Sequence, residues 1–313
     1  MKKILITAIG GDVGYGLIKA IKESKHELYI IGCDVREYNM SRDVVDKFMV
    51  CPPFSKEKDW IKFVLNVMIS EQIDYLWPVT ENEIQIVRKN KSAFAGVRVI
   101  MNSDRVLDVA LNKKKTMQFL GNGGVKVPRV YEINEITEDS YPLILKEEFG
   151  CGSHGVRVVH DKDELEEALG ILNNPVIEQY VGSSEDEYTL TVFSDGVVTN
   201  SIAFKRTLGY DGMSKFVELE KDETIAGIGR KIAGLFELRG SFNIQMRKQD
   251  NEYYVFEINP RISSTIGFRS KLGFNDAAWW INMLEGKKTK KYSCPKGHVH
   301  GVRSVEEKIF VED

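Results

Sequence analysis

Four side chains with oxygen donors alternate along two neighbouring segments of this chain. Asn243 and Gln245 lie in SFNIQMR, and Glu257 and Asn259 lie in YYVFEINPR. Ser241–Met246 and Tyr253–Ile258 each predict a strand, with the polar run Lys248–Asn251 as the turn between them. Strand side chains alternate faces, so Phe242, Ile244 and Met246 share one face and Asn243, Gln245 and Arg247 the other. On the second strand Tyr254, Phe256 and Ile258 are apolar, while Glu257 and Asn259 point the opposite way. The hairpin therefore gathers Asn243, Gln245, Glu257 and Asn259 on one surface, with Arg261 just beyond Pro260. One carboxylate among neutral oxygen donors suits Mg²⁺, which completes its shell with water and phosphate oxygens. Solvation alone also produces polar strand faces, so the reading depends on what else the chain offers.

A second group of residues suits phosphates and a nucleoside. Gly150-Cys151-Gly152-Ser153-His154-Gly155 lies between two strand segments, with Lys146 at the end of the first. No Gly-Lys-Ser/Thr follows, so this is not a P-loop. A glycine-rich hairpin can instead lay its N–H groups over phosphates, with Lys146 adding a point charge. Val176–Gly182 (VIEQYVG) is an apolar strand running into polar residues. It has the form of an adenine hinge, with the backbone of Tyr180 and Val181 meeting the base edge. A carboxylate several residues later, in Glu185–Glu187, would reach ribose hydroxyls, although Glu185 and Asp186 read more simply as solvated acids of a surface turn.

Three further signals are weaker. Gly10-Gly11-Asp12-Val13-Gly14-Tyr15-Gly16 lies between a strand and a helix, and Asp34 ends the next strand. Its G-x-x-G-x-G spacing differs from the dinucleotide fingerprint, so a tight packing turn is the simpler reading. Lys205–Lys215 predicts a mobile flap over an acceptor site, with Lys205 or Arg206 reaching a phosphate. His298 and His300 share a strand face without a third ligand nearby and read as surface residues.

These groups must be held by two kinds of architecture. The first hundred residues alternate strand and helix, predicting a parallel sheet covered on both faces. Asn102-Ser103-Asp104 offers N-caps for a helical segment running to Leu120, with a domain boundary near Leu107–Asn112. After Gly121–Gly124 the pattern becomes antiparallel α+β, with helices over Asp163–Leu172 and Thr224–Phe236. Trp279-Trp280 predicts a C-terminal helix packed on the body. The divisions expected are 1–108, 109–181 and 182–313.

Bulk properties set limits on function. A net charge of −3 over 313 residues gives no general attraction to nucleic acid or anionic membranes. Four scattered cysteines without a CxxC pair exclude a disulfide scaffold and a thiolate zinc site. No apolar run approaches membrane-spanning length, and Ile4–Ile9 is too short for a signal peptide's apolar core. A cytoplasmic soluble protein is expected.

Lys113, Lys146, the glycine loop, Glu178–Gly182, Glu187 and the NIQ…FEINPRISST hairpin follow an order that resembles the ATP-grasp superfamily. The closest likeness is to the carbamoyl-phosphate synthetase large-chain branch. The resemblance covers nearly the whole chain and implies a Rossmann-like domain followed by an ATP-grasp fold of two α+β lobes: a small lobe with the glycine loop and a large lobe with the metal site. It implies that Lys113 and Lys146 contact ATP phosphates beneath Gly150, Gly152, Ser153, His154 and Gly155. Glu178, Gln179, Tyr180 and Val181 would hold adenine, and Glu187 the ribose, with Glu185 as the alternative. Gln245, Glu257 and Asn259 would ligate Mg²⁺, with Mn²⁺ as a substitute. Arg261 and Lys146 would be catalytic, and Arg206 and Arg269 would meet substrate. The implied activity is an ATP-dependent carboxylate–amine ligase working through an acyl phosphate. Its partners would be small carboxylates and amines, met between the strand ends near Gly10–Gly14 and Thr80-Glu81 and the region around Arg261–Arg269, with a homodimer as its assembly. One such unit without a glutaminase domain is not expected to make carbamoyl phosphate itself. An ATP-binding regulator without turnover and an NAD-dependent oxidoreductase are the rival readings.

Overall fold

The computed structural model describes residues 1–150, 155–209, 212–304 and 307–310. Cys151, Gly152, Ser153 and His154 of the glycine loop, and Tyr210 and Asp211 of the proposed flap, lie outside the described residues.

The N-terminal part alternates β1 (Lys2–Ile6), α1 (Asp12–Glu23), β2 (Leu28–Asp34), β3 (Lys47–Val50), α2 (Glu57–Ser70), β4 (Tyr75–Trp77), α3 (Glu81–Lys89) and β5 (Arg98–Val99). The five strands form one parallel sheet in the order β3-β2-β1-β4-β5. Ile4, Leu5 and Ile6 are all fully buried, as a central strand covered on both faces requires. The Gly10–Gly16 segment is a packing turn. A Cβ at Gly14 would lie 2.5 Å from the Ile9 backbone, and one at Gly16 would lie 2.7 Å from Ile266. Asp34 accepts the Gly10 N–H at 2.7 Å, so it is folded onto the turn.

The predicted helix after residue 102 is two helices, α4 (Asp104–Ala110) and α5 (Lys113–Asn122). Asn112 breaks the run by capping α5, its Oδ1 accepting the Lys115 N–H at 2.9 Å. Asn102 is not a cap. Its Nδ2 donates to the carbonyls of Ser241 (2.7 Å) and Pro260 (2.9 Å), tying the linker to both ends of the oxygen-bearing hairpin.

A four-stranded antiparallel sheet follows in the order β6-β9-β7-β8, built from β6 (Val130–Tyr131), β7 (Leu143–Glu147), β8 (Arg157–Val159) and β9 (Pro175–Gln179), with α6 (Lys162–Ile171) against it. The last sheet has the order β14-β13-β10-β11-β12-β15. Its strands are β10 (Glu187–Ser194), β11 (Thr199–Leu208), β12 (Ser214–Glu220), β13 (Gly240–Gln249), β14 (Glu252–Asn259) and β15 (His300–Val302). Helix α7 (Glu223–Phe236) covers one face, and α8 (Ile266–Arg269) and α9 (Asp276–Leu284) follow β14. The proposed flap is the end of a β-hairpin: Lys205 to Leu208 belong to β11, and Ser214 and Lys215 begin β12. His300 lies on β15 and is exposed, stacked on Phe216. As predicted, Trp280 buries α9 against the body, meeting Trp77 edge-on at 5.8 Å.

Candidate active site

Strand pairing brings the predicted oxygen donors together. Glu257 lies opposite Gln245, and Asn259 lies opposite Asn243. All four line one cleft, together with Lys113, Lys146, Gly150, Glu178, Gln179, Tyr180, Val181, Glu187, Arg206 and Arg261. A bulge makes this possible. Gln245 pairs Glu257 but Met246 pairs Val255, leaving Phe256 as the extra residue. Tyr253 and Val255 point into the core before the bulge and Ile258 after it, so the side-chain parity switches. The expected apolar face of Tyr254, Phe256 and Ile258 is thereby corrected: Phe256 faces the cleft beside Glu257.

The hairpin oxygens differ in availability. Asn243 Oδ1 is taken by the hydroxyls of Thr189 (2.8 Å) and Thr191 (3.3 Å), which makes it a strut between strands. Among the described residues, no hydrogen bond engages the side-chain oxygens of Gln245 or Glu257. Asn259 Oδ1 accepts from Arg261 Nη2 at 3.0 Å, leaving its second lone pair free. Its buried Nδ2 has no partner, and a phosphate oxygen would satisfy it. No cluster of three or more His, Cys, Asp and Glu side chains among the described residues is placed to hold a metal. One carboxylate with two amide oxygens is the donor set of a Mg²⁺ that takes its remaining ligands from phosphates and water.

Helix α5 and the small sheet supply the cations. Lys113 opens α5, and its Nζ donates to the Gly150 carbonyl at 2.7 Å, beside the glycine loop. Lys146, on β7, donates to Glu178 Oε2 on β9 at 2.8 Å and lies 4.9 Å from the Phe256 ring centre. Glu178 is fully buried, and its Oε1 has no partner among the described residues. At the hinge, Pro142 takes the Tyr180 N–H and Gln249 the Gly182 N–H. Val181 N–H has no partner among the described residues and is left to meet a ligand.

Two predicted site residues are otherwise employed. Glu187 lines the cleft, but Arg206 donates Nε and Nη2 to its Oε1 at 3.1 and 2.6 Å, and Arg247 donates the same pair to Oε2 at 3.1 and 3.0 Å. Four acceptor positions are filled, so the carboxylate clamps two guanidiniums and has none left for a ribose. Glu185, the alternative, is exposed and away from the cleft. Arg269 is fully buried, with both oxygens of Asp276 at 2.8 and 2.9 Å and the hydroxyls of Ser263 and Thr265 at 3.1 and 2.9 Å. It braces the loop after Arg261 and does not reach the cleft, which corrects its expected contact with substrate.

One cleft residue, Arg247, was given no role in the sequence, and Glu81, expected only near the acceptor, lines a recess beside the cleft. Arg247 continues the Asn243–Gln245 face and lies 5.4 Å from the Tyr180 ring and 5.7 Å from Phe256. Glu81, at the start of α3, reaches Arg261 Nη2 at 3.3 Å from the N-terminal sheet. Burial, with the nearby Glu257 charge adding to it, holds its carboxyl above the usual range.

Residues 110–265 match the ATP-grasp domain family, and residues 4–101 match the PylC-like N-terminal domain. The chain belongs to the ATP-grasp superfamily. Over 322 aligned residues it is 24% identical to the carbamoyl phosphate synthase large chain of Clostridium acetobutylicum, covering 93% of this chain and 30% of that protein. The chain thus spans under a third of that relative's length. The ADP complex of PurK, an N5-carboxyaminoimidazole ribonucleotide synthetase, superposes with a TM-score of 0.76 at 18% identity, covering 96% of this chain and 81% of that one. An L-amino acid ligase from Bacillus licheniformis gives a TM-score of 0.71 at 18% identity, covering 91% of this chain and 74% of that one. Such structural likenesses establish the fold: a parallel-sheet domain followed by an ATP-grasp body. Among the described residues, no helix is long and apolar enough to cross a membrane.

Proposed function

We propose that this ATP-grasp protein is a carboxylate–amine ligase that spends ATP through an acyl phosphate and releases ADP and phosphate. The observation that carries the reading is the register of β13 on β14, which sets Gln245 against Glu257 and Asn243 against Asn259, with Arg261 at the end. A carboxylate is a poor electrophile at neutral pH, and phosphorylation gives it a leaving group. Bound Mg²⁺ would neutralise phosphate charge, held by Glu257, Asn259 and Gln245. Lys113 and Lys146 add positive charge along the phosphates, Gly150 lies beside them, and Val181 N–H receives the base. Arg261 is oriented by Asn259 and Glu81, so its fork faces the reacting carboxyl without searching rotamers. It stabilises the oxyanion that forms when the amine attacks.

The reading draws support from the names of two similar proteins, a carbamoyl phosphate synthase and an L-amino acid ligase. The folded-back Asp34 removes the ribose carboxylate that an NAD-dependent oxidoreductase needs. The test measures ADP and phosphate release across a panel of amino acids, other carboxylated metabolites and amines with MgATP. Turnover requiring both a carboxylate and an amine is expected. Tight MgATP binding with no such turnover would turn the assignment to a nucleotide-binding regulator.

A further inference from the structure

The parallel sheet points the C-terminal ends of its strands toward the cleft, and its strand order reverses between β1 and β4. Open α/β sheets bind ligands in the crevice at such a switch point. Here its walls are the start of α1, where Val13 lines the cleft, and the turn after β4, where Glu81 lines a small adjoining recess. Arg261 and Ser263 to Thr265 face it from the large sheet.

The carboxylates at these strand ends are satisfied within the protein, with one exception. Asp34 accepts the N–H groups of Gly10 and Arg36. Glu83 accepts the Thr80 N–H and hydroxyl, and Asp12 pairs with Arg303. The Glu81 side chain is only 12% exposed, yet its sole partner among the described residues is Arg261, at 3.3 Å. It opens instead on a recess shared with Lys113 and Glu257. Two carboxylates, Glu81 and Glu257, share that recess with the single ammonium of Lys113, and the one ion pair to Arg261 does not offset the desolvation of Glu81.

The geometry points to Glu81 as the group that holds the ammonium of the amine acceptor, so the second substrate is a primary amine bound in its cationic form. This rests on the ligase reading above. An ammonium brings one charge and three donors, which is what Glu81 lacks. A neutral or anionic acceptor would leave it uncompensated. The site is adjacent to Arg261, where the acyl carbon would lie. The ammonium first loses one proton to solvent. Its nitrogen lone pair then forms the C–N bond, the C–O bond to phosphate breaks with its electron pair on the phosphate, and the remaining surplus N–H proton follows onto that phosphate.

Hydroxylamine tests this, because it traps acyl phosphates as hydroxamates without needing an ammonium site. Wild-type protein, Glu81→Gln and Glu81→Asp are assayed with MgATP and the panel carboxylates, using hydroxylamine or amino acids and diamines as nucleophile. In Glu81→Gln, kcat/KM for the amine is expected to fall at least about tenfold further than hydroxamate formation, chiefly through KM, with partial rescue in Glu81→Asp. Parallel loss of both reactions would assign Glu81 to the bracing of Arg261 alone and overturn the proposal, as would no loss in either. If the wild-type protein binds MgATP but forms no hydroxamate with any carboxylate, the ligase reading itself fails, and this proposal fails with it.

Discussion

Arg247 faces Glu187 across adjacent antiparallel strands and gives it two hydrogen bonds that converge on Oε2, at 3.1 and 3.0 Å, while Arg206 occupies the other carboxylate oxygen. The Glu187, Arg206 and Arg247 side chains are 5, 7 and 17% exposed, so the group is buried and carries one surplus positive charge. Replacing Glu187 with Gln leaves two guanidiniums without a counter-ion. Loss of about 3–5 kcal/mol of stability is expected, as for other broken buried pairs. A denaturant midpoint within error of wild type would show that the clamp is not formed in solution.

Arg269 and Asp276 offer a cleaner stability test, because both side chains are fully buried and neither lines the cleft. Arg269→Met should also cost about 3–5 kcal/mol, since Asp276 would then be charged and poorly compensated. The double variant Arg269→Met, Asp276→Leu should recover much of that loss. Chemical denaturation of wild type, Arg269→Met, Asp276→Leu and the double variant gives the coupling energy, and additive single effects would contradict the pairing.

Much of this site was legible because strand alternation is a local property. The Asn243–Gln245–Arg247 face and the core face of Phe242, Ile244 and Met246 both follow from period two. The alternation fails on β14 because a bulge adds one residue at Phe256, and no turn residue announces it. Arg269 read as a substrate contact because a lone arginine after E-I-N-P-R carries no mark of its partner. Asp276 meets it only once α8 and α9 pack together. Asn102 likewise read as a helix cap, whereas its carbonyl partners at Ser241 and Pro260 are more than a hundred residues away. Glu187 lines the cleft, but its partners on β11 and β13 were set by sheet order, which the local sequence does not carry.

Substituting Glu257 with Ala should abolish turnover without unfolding the protein. The side chain makes no hydrogen bond among the described residues, so its removal orphans nothing. A fall in kcat of about 100-fold or more is expected, the scale for losing one preorganised electrostatic group. The unfolding midpoint should stay within about 0.5 kcal/mol of wild type, as for substitutions away from structural networks. Retained activity would remove Glu257 from the metal site.

Glu285 predicts part of the acid behaviour. Lys287 first, and then Lys2, hold its carboxyl down to about 2 from an ordinary value of 4.5. A folded-state pKa below the unfolded one stabilises the protein above the ordinary value and loses that contribution as pH falls toward the depressed one. Wild type should therefore shed stability between about pH 5 and pH 2. Part of that loss should be absent in Glu285→Gln, and urea titrations across this range would show whether the two curves converge in acid.

Glu81 carries the opposite sign. Burial raises its carboxyl above the usual range, so on going up in pH the unfolded chain releases this proton before the folded protein does. The folded state is then penalised, fully so once pH exceeds the raised value. Glu81→Gln keeps the shape, removes the charge and escapes that cost. It should be at least as stable as wild type at pH 7, even while it loses function, since groups held for chemistry commonly sit at the expense of stability. The gain should shrink in acid, where the wild-type carboxyl is neutral in both states. A Gln variant clearly less stable than wild type at pH 7 would mean that the Arg261 pair outweighs the desolvation, and that Glu81 serves the fold before the substrate.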